Sequence, residues 1–207
     1  MTIFNDPIEK RGFRLAAIIF GFWLAAVALA GYGGVLLRIP ALAFPPLVAA
    51  SIAVPIGLYF TLPDLRRFLR SIGLRAITAF HIWRIGAALV FFWYGAGGLL
   101  PERFVANAGW GDFFAGVLAG LVVLLPFRRG FYAVAHLFGF LDFILAVGTG
   151  AILIFQGVPE MANIGAFPVV LIPLFGVGVS GLAHVVAFDL LLRPAELTAK
   201  AQTSAIG

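Results

Sequence analysis

Seven side chains carry chemistry at places where such groups are expensive: His81, Arg84, Asp112, His136, Asp142, His184 and Asp189. Each lies in or beside a long apolar run, and an ionisable group in hydrocarbon costs at least about 2.5 kcal/mol, so each calls for a partner or a purpose. Arg84 follows His81 by three residues and shares its helix face. The plainest expectation is bracing, with Arg84 pairing with Asp142 across a helix interface while the histidines donate to backbone carbonyls or hydroxyls. Such a pair adds little net stability, yet losing one partner strands a charge at about 3–5 kcal/mol. The functional alternative is an anion-attracting or proton-relaying centre built by an arginine beside aspartate and histidine. A second alternative uses the imidazoles as ligands, two of them for a b-type haem or His81, His136 and His184 together for a transition metal. No His-x-x-His or Glu-x-x-His pair on a single helix supports that alternative.

The elements that position these groups are set by composition. The 207 residues are 62% hydrophobic and 11% charged, with a mean hydropathy of +1.08, beyond what a soluble domain could bury. Apolar runs long enough to cross about 30 Å of hydrocarbon recur along the chain. Alternating ten-residue strands are absent, and 25 Gly with 12 Pro suit packed spanning helices. The expected fold is all-α, a polytopic integral membrane protein forming one transmembrane domain over 1–207. Its six spans are read at about 14–37, 41–62, 76–98, 111–127, 131–155 and 167–192. Counting about 1.5 Å per residue puts all three histidines in the same half of the membrane and Asp142 near its middle.

Basic residues give the direction. Lys10, Arg11, Arg14, Arg66, Arg67, Arg70, Arg75, Arg128, Arg129, Arg193 and Lys200 fall on one side, and only Arg38 and Arg103 on the other. The positive-inside bias then places both termini in the cytoplasm. The excess of Arg over Lys points to a GC-rich bacterial genome and hence to a bacterial inner membrane. Lys10 to Arg14, an apolar core and "ALA" at 28–30 also have the layout of a signal peptide, but the apolar run continues through "GYGGVLL", which favours an uncleaved first helix. Over 63–75, Leu65, Phe68, Leu69 and Ile72 recur at helical spacing among Arg66, Arg67, Arg70 and Arg75. An amphipathic helix lying on the leaflet is expected there, its arginines against anionic lipid. Membrane flanks account for the basic charge, so nucleic acid is excluded as a partner. The absence of cysteine removes disulfides, thiolate metal sites and cysteine nucleophiles. No nucleotide-binding loop is present, so ATP-driven pumping by the chain alone is excluded.

Smaller features carry their own expectations. In the sixth span Gly176, Ser180, His184 and Phe188 form one four-residue row, so Ser180 can reach His184 or the carbonyl of residue 176. Across residues 178–184, "GVSG" followed by "AH" resembles the Gly-x-Ser-Gly and histidine of rhomboid intramembrane proteases. The layout departs from that family, which brings serine and histidine from two helices, and two residues one turn apart seldom meet a nucleophile's geometry. The row reads better as a packing groove with a polar wall. Asp189 precedes Arg193 by four residues and pairs with it. Asp112, after Gly111, reads as an N-cap of the fourth span, with an entry carboxylate as the alternative. Gly116 and Gly120 form a close-contact step, and Pro55 and Pro173 predict kinks. "GAALVF" at 86–91 and "GAILIF" at 150–155 precede "PERFVANAG" and "PEMANIG", a faint echo of one two-helix unit.

The leading expectation is secondary movement of a proton, ion or small solute through Arg84, Asp142, His136 and His184, assisted by Ser180 and His81. No catalytic residue and no required cofactor is read from the sequence. The rivals are a haem- or metal-binding redox protein and a non-catalytic subunit, docked through its Phe-rich exterior and small-residue faces on a membrane partner or a second copy of itself.

Overall fold

A computed structural model describes residues 7–193; Lys200 and the remainder of the two chain ends lie outside the described residues. The described residues are all-helical, 86% helix without strands. Among the described residues six helical segments are long and apolar enough to cross a membrane: Pro7–Tyr32, Ala41–Thr61, Gly73–Ala96, Glu102–Leu124, Arg129–Phe155 and Ile172–Leu192. They contain α1 (Pro7–Tyr32), α2 (Phe44–Thr61), α4 (Gly73–Phe80) with α5 (Trp83–Ala96), α6 (Glu102–Phe104) with α7 (Trp110–Leu124), α8 (Arg129–Phe155) and α9 (Val177–Leu192), and a short helix, α3 (Pro63–Ser71), joins the second segment to the third.

Two boundaries differ from expectation for identifiable reasons. The first helix stops at Tyr32 rather than running to 37. There Gly34, at φ +70°, ends it while Val35 N–H reaches back to Ala30 O and Gly34 N–H to Gly31 O, the paired bonds of a glycine-terminated helix. Gly98 and Gly157 end α5 and α8 with the same bond pattern. The fourth span begins at Glu102 instead of 111, because "VANAG" winds into a π-helical turn, Val105–Gly109, that joins α6 to α7. Pro173 lies in another π-helical turn, Ile172–Gly176, at the entry of the sixth span rather than in its interior. Pro55 sits inside an uninterrupted α2.

The third span is two helices. His81 and Ile82 separate α4 from α5, and their N–H groups bond three residues back, to Thr78 O and Ala79 O. Such a tightened turn inside a span marks a hinge or a site, and it turns the His81 side chain into the bundle.

The amphipathic segment forms α3, but protein rather than lipid covers its apolar face. Leu65, Phe68 and Leu69 are buried against α1, where Gly12 lets the two backbones close: a Cβ at Gly12 would meet the Asp64 carbonyl and sit 2.5 Å from Phe68 Cβ. Ile72 alone of the four stays exposed. Of the arginines, Arg67 and Arg75 are exposed, and Arg70 turns back to the bundle.

Two apolar cores result. One, around Phe44, Phe91, Phe104, Ile154 and Met161, fills the end of the bundle away from the basic residues. The other, around Tyr59, Leu65, Leu69, Tyr132 and Val186, fills the basic end. Along the third, fourth and fifth spans the buried polar residues other than Thr149 fall between the two, so the bundle carries a polar layer between two greasy ones. Both ends are clasped. At the basic end Tyr59 OH and Arg70 Nε donate to Asp189 Oδ2 at 2.5 and 2.6 Å, and Arg193 lies 3.7 Å from the other carboxylate oxygen. Burial lowers the Arg70 pKa, but its bonds to Asp189 and Tyr59 outweigh this and raise it above the ordinary value. At the other end the two Ala-Asn-x-Gly turns reach across to each other's hairpins: Asn107 Nδ2 donates to Thr149 Oγ1 (3.1 Å) and Asn163 Nδ2 to Leu99 O (2.8 Å).

Candidate functional site

Five helices bring the polar layer together: α4 and α5 through the His81 turn, α7 through Asp112, α8 through His136 and Asp142, and α9 through His184. Arg84 is its hub and is 2% exposed. Its Nε donates to Asp112 Oδ1 at 2.6 Å, its Nη1 to the Gly139 carbonyl at 3.0 Å, and its Nη2 to Asp142 Oδ2. The expected Arg84–Asp142 pair is present. Asp112 is a correction: it caps no N–H at the start of α7 but is Arg84's second carboxylate. Two carboxylates on one guanidinium leave a formal charge of −1 in the interior.

Glycines make this possible. A Cβ at Gly111 would collide with Asp142 Oδ1, and one at Gly139 would sit 3.1 Å from His184 Cε1 and 3.3 Å from Arg84 Nη1. Neither glycine stands out in the sequence. Of the step marked there, Gly116 is tight, with a Cβ falling 2.7 Å from Ile85 Cγ1 and 3.0 Å from Ile85 N, whereas Gly120 has nothing nearer than 3.8 Å.

Beside Arg84 the three histidines meet. Ring centroids lie 4.2 Å apart for His81 and His184, 5.2 Å for His81 and His136, and 5.3 Å for His136 and His184. One nitrogen from each falls within 4.8 Å of the others, and all three rings are buried. Thr78 Oγ1 lies 2.8 Å from Leu74 O and 2.9 Å from His136 Nε2. With the threonine's one proton on the carbonyl, His136 Nε2 donates to Thr78 Oγ1 and Nδ1 of a neutral ring is left as a bare lone pair. That lone pair faces His184 Nδ1 at 3.1 Å. His184 Nε2 and both nitrogens of His81 are buried without a hydrogen-bond partner among the described residues, an outcome that costs about 1–3 kcal/mol per group.

The expected Ser180–His184 contact is not formed. Ser180 Oγ instead accepts a bond from Trp83 Nε1 at 3.1 Å, and the Trp83 ring lies over Gly176, where a Cβ would strike it. The four-residue row of α9 thus receives a tryptophan, and a serine tied to that indole has no histidine base, which removes the protease-like arrangement. A haem held between these histidines does not fit either. Axial ligation places a macrocycle between two imidazoles, and here the rings touch, with about 10 Å³ of space lined by Thr78, His81, Arg84, His136 and His184.

Three donors on three helices fit a single ion better. Tetrahedral ligands at 2.0–2.1 Å stand about 3.3 Å apart, close to the 3.1 Å between His136 and His184 Nδ1. Closing the widest pair, at most 4.8 Å, takes a movement of about 1.5 Å. Thr78 supplies the outer hydrogen bond that orients a ligating imidazole.

Fold and site together define a helical protein with six segments long and apolar enough to cross a membrane and with a buried polar centre. The chain belongs to the family described as "Domain of unknown function (DUF8737)", whose model matches residues 42–192. That stretch holds every residue of the centre and leaves out α1. No curated protein and no solved structure matches the chain.

Proposed function

We propose that this is an integral protein of the bacterial inner membrane, with both ends in the cytoplasm, whose His81, His136 and His184 bind one transition-metal ion. The observation that carries the reading is the convergence of three buried histidines from separate spans, one nitrogen of each within 4.8 Å of the others. Imidazole nitrogens without thiolates suit zinc, copper, iron or nickel, and three ligands leave a coordination position open. The excess negative charge of the Arg84–Asp112–Asp142 cluster favours a cation nearby. Protein made without a polyhistidine tag and purified in mild detergent should carry about one metal ion per chain, or take up one Co²⁺ with visible absorption bands. His136→Ala and His184→Ala should each abolish this. A folded wild-type protein that is metal-free and ignores Co²⁺ would overturn the reading.

Movement of a proton through the same centre is the second reading. It is favoured by the line Leu74 O, Thr78, His136 and His184, in which each donor faces one acceptor. Attraction of anions has less support, because both carboxylates already occupy Arg84. Proton flux into liposomes that is lost in His184→Asn but indifferent to chelators would favour this reading over metal binding. A companion protein that co-purifies at fixed stoichiometry would instead favour a subunit role.

A further inference from the structure

Above the polar layer, toward the end of the bundle away from the basic residues, lies a cavity of about 320 Å³, the size of a small-molecule site. Its walls are almost wholly apolar, with Phe91, Phe104, Ile154 and Met161 among them. Between α2 and α8 the lining is thin: Pro45, Ala49, Val147 and Ala151 border the cavity, and all four are partly or fully exposed. The floor is different in kind, being made by Trp83, Arg84, Asp112 and Ser180.

Two groups on that floor have unused hydrogen-bonding capacity. Asp112 gives Oδ1 to Arg84, its Oδ2 has no partner among the described residues, and its side chain keeps 11% exposure at the cavity. Ser180 accepts from Trp83, and no described acceptor takes its hydroxyl proton. One fixed acceptor and one free donor at the base of an apolar chamber match a hydroxyl, which donates to a carboxylate and accepts from a serine. A carboxylate or phosphate head is disfavoured, since it would meet Asp112.

We propose that this cavity binds a membrane lipophile with a hydroxyl head, which enters sideways between α2 and α8, sets its hydroxyl between Asp112 and Ser180 and leaves its apolar body among the aromatic walls. Both a phenol, such as a quinol, and an aliphatic alcohol have this chemistry. The proposal stands whether or not the histidines hold a metal, although Ser180 is one helical turn from His184.

The test uses delipidated full-length protein in nanodiscs of synthetic phosphatidylcholine, with thermal unfolding followed after adding a decyl-substituted hydroquinone, 1-dodecanol or dodecane. At ten times its Kd a binder should raise the midpoint by about 3–6 °C. At least one hydroxyl compound is expected to do so and dodecane is not; which of the two acts identifies the source as phenol or aliphatic alcohol. Ser180→Ala should erase the difference between alcohol and alkane, and Ala146→Phe, which fills the chamber from its rim, should erase all shifts. An equal shift with dodecane, or no shift with any of the three in folded protein, would overturn the proposal. Should Ala146→Phe not fold, the comparison of the three compounds on wild type and Ser180→Ala decides the matter.

Discussion

Removing Arg84 should be among the most damaging single changes in the chain, whereas neutralising one of its carboxylates should be nearly harmless. In Arg84→Met the side-chain volume is roughly kept, but Asp112 and Asp142 lose their shared cation and the Gly139 carbonyl loses its donor. Stranding buried charge in this way costs about 3–5 kcal/mol, which for a chain of this size lowers the unfolding midpoint by roughly 6–20 °C. Asp142→Asn keeps an oxygen for Arg84 Nη2 and removes the surplus negative charge, leaving Arg84 and Asp112 as a balanced pair. Its cost should stay below about 1.5 kcal/mol. The triple variant Arg84→Met, Asp112→Asn, Asp142→Asn should recover much of the loss, because no charge then remains buried. Thermal unfolding in one detergent, read by circular dichroism and by a fluorescent thiol-independent probe, measures all three. An Arg84→Met protein as stable as wild type, or an Asp142→Asn protein as unstable as Arg84→Met, would refute the charge count behind these figures.

Other expectations can be checked with the same protein. Thr78→Val should leave the fold intact but cut metal affinity about 10–100-fold, because the donor that orients His136 loses its acceptor; a Co²⁺ titration reads this directly. Gly116→Ala should cost about 1–3 kcal/mol through its clash with Ile85, whereas Gly120→Ala should be neutral or stabilising, and unfolding curves for the pair separate the two halves of the step. Gly139→Ala should displace both His184 and Arg84, lowering metal uptake and stability together. Tyr59→Phe removes one of two donors to a partly exposed Asp189, so its effect should stay near about 1 kcal/mol and leave metal content unchanged.

The six long apolar helices were legible because hydropathy is additive along the chain and survives errors in any one residue. The pairing of Arg84 with Asp142 was legible because so few charges in the apolar runs lack a place at the interface. Asp112 was not, since an aspartate after glycine at the head of an apolar run reads locally as a cap. Only the helix starting ten residues earlier, through the π-helical turn, carries that carboxylate past the cap position and in toward Arg84. Ser180 failed for the complementary reason. Spacing of four along α9 suggested a bond to His184, but Trp83 from another helix took the hydroxyl, and no periodicity reports a contact between elements. The face of Leu65, Phe68 and Leu69 was read correctly as apolar, yet a pattern cannot say whether lipid or a neighbouring helix covers it. The break at His81 contains neither glycine nor proline and leaves no mark in the sequence. The three histidines were placed at similar depth, but their rotation toward one another depends on that break.

The depth of the histidines has an electrical consequence. His81 is the ninth of the 24 residues in the Gly73–Ala96 span, about a third of the way in from the basic end. With the basic end in the cytoplasm, an ion reaching this level from inside crosses about a third of the transmembrane voltage and from outside about two thirds. Each charge carried through the whole field is worth about 2.3 kcal/mol per 100 mV, so a divalent cation arriving from the cytoplasm against a 100 mV, inside-negative potential loses about 1.5 kcal/mol, roughly tenfold in occupancy. One arriving from the opposite face gains about twice that. Affinity measured in detergent is the value at zero voltage, and an energised membrane would load the same three imidazoles differently according to the side from which the ion comes.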